Sequence, residues 1–147
     1  MKTFDRTAAQ GDVYLHRLDL SPERIRELLD RGLFVKSDEI TDINQIIVTH
    51  SETGHHHVVD GDCAVMVRPA SEDSLLLLKK EAPELFEGPL PLSITDCLLI
   101  VDKPTTLDHL RDYDTHESLG LKEETVYLTR RQREYDPFTS AFHFVMD

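Results

Sequence analysis

A chain of 147 residues has the length of one domain, 1–147, and can bury a core without disulfides. Sixteen Lys plus Arg against 28 Asp plus Glu give a net charge of −12. That charge repels phosphate backbones and anionic lipid, so nucleic-acid and membrane-surface binding are not expected. The longest apolar runs, 75–78 and 97–101, are far too short to cross a bilayer, and residues 1–6 hold no secretory stretch, so a cytoplasmic protein is expected.

In chain order, residues 1–10 are polar and expected to be loosely attached. Residues 12–18 mix β-branched, aromatic and polar side chains and read as a first strand. Ser21 as N-cap, Pro22 at the first helical position and Gly32 as a stop predict one short helix, with Ile25, Leu28 and Leu29 on one face. From residue 44 the signals are mostly β, with strand cores at 46–48, 58–59, 64–67, 75–78, 98–101, 126–129 and 142–146. Asp60-Gly61 reads as a tight hairpin turn. Two stretches read as long connections, 81–93 with three prolines and 103–120 with two histidines. The expected architecture is mainly β with one short helix, a small β-barrel or sandwich. Cys63 and Cys97 show no paired spacing and are expected to be reduced, buried thiols.

The densest chemical signal is His50–Ser51–Glu52–Thr53–Gly54–His55–His56–His57. Side chains two apart on a strand share a face and sit about 6.6 Å apart along it, so His55 and His57 can both reach one ion. If 51–54 form a hairpin loop, His50 stands beside His55 and Val48 opposite His57. Imidazoles suit a divalent transition metal, here Zn, Fe or Ni. His109 and His116, both in the 103–120 connection, are candidate further ligands, and Glu117 is the candidate base or supporting carboxylate. Without metal, the same histidines would be solvated or bonded to loop carbonyls. His16 and His143 read as structural.

A second constellation, Tyr127 to Pro137, carries Arg130, Arg131 and Arg133. Arg131, Arg133 and Tyr135 on one face would bind an anionic group or a carboxylate of the protein itself; otherwise the segment is an exposed strand end with paired charges.

Gln10-Gly11-Asp12-Val13, Thr53-Gly54-His55-His56-His57, His116 and Gln132-Arg133-Glu134-Tyr135 together resemble a family of small uncharacterised bacterial and phage-associated proteins with the pattern QGDV, TGHxH, a later His and QREY. The resemblance spans residues 10–147. It implies a histidine set of His55, His57 and His116, with Gln132, Arg133 and Tyr135 near it, and supplies no reaction. A looser resemblance is to the cupins, small β-barrels with an HxH pair and a later His around one metal. The expected function is therefore a metal-binding β protein with a small-molecule ligand, a hydrolase or oxygenase. In it His55, His57 and His116 hold the ion and His50 or His109 substitutes. The alternative is a non-enzymatic interaction or assembly module. A homodimer is the expected assembly, since small β proteins leave strand edges exposed.

Overall fold

The computed structural model describes residues 1–49, 56–109 and 117–131 in full and the backbone of 133–136 and 141–144. Two antiparallel sheets pack face to face. The larger has six strands, β1 (Thr7–Gln10), β2 (Val13–Leu18), β3 (Phe34–Lys36), β6 (Ala64–Pro69), β7 (Cys97–Val101) and β10 (Thr125–Arg131), ordered β1-β2-β10-β7-β6-β3. The smaller has β4 (Gln45–Thr49), β5 (His57–Asp60), β8 (Thr105–His109) and β9 (Leu119–Leu121), in that order. A separate ribbon pairs β11 (Arg133–Asp136) with β12 (Ala141–Phe144). Among the described residues the two sheets are not closed into a barrel, so of the two expected architectures the sandwich is the one that forms.

The alternation of strand side chains sets two cores. Leu99 and Val101 of β7, Tyr127 of β10 and Met66 of β6 point toward the smaller sheet, where they meet Ile46, Val59, Leu107 and Leu119. Their chain neighbours Leu98, Ile100, Val126 and Leu128 point the other way, against two helices. One is the predicted helix, α1 (Pro22–Asp30), whose Ser21 Oγ accepts from the Arg24 N–H at 3.2 Å. Each fully buried aliphatic side chain contributes about 1.5–3 kcal/mol, so these two layers hold the sandwich together.

Four expectations need correction. The 75–78 run is not a strand: it lies in a second helix, α2 (Glu72–Glu81). Ser71 caps it, Glu72 and Asp73 occupy its first turn and Lys79 and Lys80 its last, all favourable to the helix dipole. Asp60-Gly61 is not a hairpin turn, because β5 pairs with β4 and β8 whereas β6 pairs with β3 and β7. The chain crosses there from one sheet to the other. The 103–120 connection contains β8 and the start of β9, which places His109 on a strand and not in a loop. Finally, the N-terminus is docked: Thr7–Gln10 pair with β2, and Lys2 bridges to Leu119.

Candidate functional site at one end of the sandwich

The inward-facing rows of both sheets run apolar through the middle and turn polar at the same end. On the larger sheet, alternation continues Ala64 and Met66 to Arg68, Val101 and Leu99 to Cys97, and Tyr127 to Thr129 and Arg131. On the smaller sheet it continues Val59 to His57 and Leu107 to His109. The β1–β2 hairpin closes this end. Its two-residue turn has Gly11 at φ 57°, a conformation that suits glycine, and Asp12 beside it. Gln10, Asp12, His57 and His109 are all buried.

The smaller sheet's register sets the histidine geometry. β4 and β5 pair as Gln45 with Asp60, Ile46 with Val59 and Ile47 with Val58, the register the sequence predicts. A bulge at Val48 then shifts the ladder by one, so His57 stands opposite Thr49 and not Val48. On its other side His57 pairs with His109, and the two rings stack at 4.0 Å between centroids and 11° between planes.

Around His57 the hydrogen bonds fix a tautomer. Gln10 Nε2 donates to the carbonyls of Leu107 and Glu117, both at 2.9 Å, which turns its Oε1 toward His57 Nδ1, also at 2.9 Å. An amide oxygen only accepts, so Nδ1 carries the hydrogen. His57 Nε2 then faces Asp12 Oδ1 at 3.1 Å. Asp12 Oδ2 accepts from Arg131 Nε at 2.7 Å. The contact is close but lacks the alignment of a hydrogen bond, so it is an ion pair when Nε2 is protonated and a pair of donors when both groups hold one ion. Two ligands of a tetrahedral ion with ~2.0–2.1 Å bonds lie about 3.4 Å apart, close to the observed separation.

Of the candidates from sequence, His57 and His109 come together here. His50, His55, His116 and Gln132 lie outside the described residues, as do the side chains of Arg133 and Tyr135, whose backbones pair with Phe144 and Phe142. Glu117 is placed differently from its expected role. Its carboxylate is 62% exposed and pairs with the Met1 amino group at 3.5 Å, so only its backbone carbonyl serves the site, through Gln10. The carboxylate beside His57 is that of Asp12. Sequence reasoning missed Gln10 and Asp12 as site residues, although the QGDV motif that holds both was visible. Among the described residues, no cluster of three or more His, Cys, Asp or Glu side chains is arranged to hold a metal ion.

Of Arg131, Arg133 and Tyr135, the described side chain, Arg131, binds a carboxylate of the protein itself, and so does Arg130, which the sequence did not place on that face. Arg131 holds Asp12, and Arg130 grips buried Asp96 through Nε and Nη2 at 2.8 and 2.6 Å. Asp96 in turn accepts from the Ser93 N–H. Both cysteines are free thiols and half-buried. Burial, reinforced by the Asp96 charge, pushes the Cys97 thiol up to about 11. At pH 8 roughly one Cys97 in a thousand is therefore thiolate, far below an ordinary cysteine. Alkylation with iodoacetamide at that pH, followed by peptide mass spectrometry, is expected to label Cys97 about a hundredfold more slowly than a model thiol. Labelling at the model rate would contradict this environment.

No family model, curated protein or solved structure matches the chain. No helix among the described residues is long and apolar enough to cross a membrane.

Proposed function

We propose that this protein binds one divalent transition metal, Zn, Fe or Ni, at the polar end of the sandwich and uses it on a small molecule in the cytoplasm. His57 Nε2 and Asp12 Oδ1 are the first pair of donors. His55 and His116, chosen from the strand spacing and the QGDV…TGHxH…QREY resemblance, complete the set, with stacked His109 or His50 as substitute. The observation that carries the reading is the Nε2–Oδ1 contact at 3.1 Å, two donor atoms at about the spacing of neighbouring ligands of one ion. Supporting it, Nδ1–H is donated to Gln10, the outer-shell bond that ordinarily orients a metal-ligating imidazole. Arg131 holds the other Asp12 oxygen and keeps the carboxylate aimed. A bound ion would polarise a substrate oxygen or activate water, which is the chemistry of a hydrolase or oxygenase.

A second reading is favoured by the same contacts. A proton on His57 Nε2 makes the contact an ion pair with Asp12, and the layer is then a structural lock in a non-enzymatic interaction or assembly module. Elemental analysis of untagged protein decides between them. The metal reading predicts about one ion per chain, lost in His57→Ala and reduced in Asp12→Asn. Metal-free protein that takes up no ion after dialysis against Zn, Fe(II) or Ni supports the lock.

A further inference from the structure

We propose that the cleft beside this polar layer binds a small organic carboxylate, with Arg68 as its anchor. The cleft has a volume of about 420 Å³, within the range of small-ligand sites, and adjoins the His57–Asp12 pair through Arg131, which lines it. Val48 and Met66 give it an apolar floor, continuous with the inter-sheet core. Arg68 occupies the next inward position after Met66 on β6, so its guanidinium stands at the boundary between that floor and solvent. Arg130 and Arg131 each hold a buried carboxylate of the protein, whereas Arg68 makes no hydrogen bond or ion pair among the described residues. A guanidinium fork over an apolar floor matches a carboxylate head on a short aliphatic body. Asp38 and Glu39 also line the cleft and disfavour a doubly charged phosphate more than a singly charged carboxylate.

The test is titration of the ¹⁵N-labelled full chain with 3-methylbutanoate, once with chelator present and once after loading with zinc. Saturable shifts are expected at the amides of Val48, Met66 and Cys97 in both states, so the result stands apart from the metal reading. The uncharged 3-methylbutanamide should bind at least about tenfold more weakly, since a charge-assisted hydrogen bond is lost. Arg68→Ala should weaken the acid by a similar factor and Arg68→Lys by less. Arg68 is exposed, and an unchanged thermal transition in each variant confirms the fold. The proposal is overturned if no saturable shifts occur, if acid and amide bind alike, or if Arg68→Ala leaves affinity intact. Tighter binding of inorganic phosphate at the same amides overturns the ligand class.

Discussion

Asp12→Ala is expected to destabilise the protein by about 3–5 kcal/mol, the usual result of removing one partner from a buried charged pair. Asp12 is fully buried in a two-residue turn and bonded to Arg131, with His57 Nε2 on its other oxygen. Truncation leaves a guanidinium and a ring nitrogen facing an emptied space. Arg131 is 26% exposed and recovers some hydration, which places the expected loss toward the lower end of that range. Asp12→Asn keeps the shape and one acceptor and should lose less. Urea unfolding followed by circular dichroism measures both. A loss below about 1 kcal/mol for the alanine variant would mean that the pair contributes little to the folded state.

Gln10→Leu is expected to cost a comparable amount for a different reason. One side chain satisfies three groups, the buried carbonyl of Leu107, the part-buried carbonyl of Glu117 and the buried Nδ1–H of His57. Each orphaned group costs roughly 1–3 kcal/mol, and shared relaxation makes the total about 3–6 kcal/mol. Gln10→Glu separates the contributions. A carboxylate still accepts from His57 but faces two carbonyls with no hydrogen to give. It should therefore be destabilised although His57 keeps its acceptor. Unfolding of Gln10→Leu at the wild-type urea concentration would mean that Gln10 does not hold these three groups in the folded state.

The legible parts of this fold were those with strong local signals. Ser21, Pro22 and Gly32 marked α1, and the apolar run at 98–101 and the alternation at 126–129 marked the central strands β7 and β10. The four leucines at 75–78 misled because a short apolar run fits either a buried strand or a helix. The capping and charge pattern from Ser71 to Lys80 held the deciding information, and Leu76 and Leu77 turn out to be exposed. Asp60-Gly61 marked a turn correctly, but turn chemistry does not say whether the two strands pair or part.

At the site, His57 was readable from the HxH spacing, and the β4–β5 register was right up to Ile47. The bulge at Val48 was not readable, since an inserted residue leaves no mark in an aliphatic run. His109 was readable as a candidate ligand, but its strand was not, because Thr105–His109 has only one large apolar residue, Leu107. Asp12 and Gln10 were the larger omission. Their role depends on a contact about a hundred residues away in sequence for Gln10 with Leu107 and on Arg131 for Asp12, which no local pattern encodes. Sequence adjacency to His116 does not bring the Glu117 carboxylate to the site, since that carboxylate is exposed and pairs with the Met1 amino group.

The most direct test of the account is the ¹⁵N spectrum of the His57 imidazole as Zn²⁺ is added to chelator-stripped protein. Nδ1 is expected to stay protonated on Gln10 throughout while Nε2 moves to the shift of a metal-bound nitrogen, saturating at one equivalent. Both nitrogens remaining protonated and indifferent to zinc would contradict it, and would leave a proton as the charge that joins His57 to Asp12.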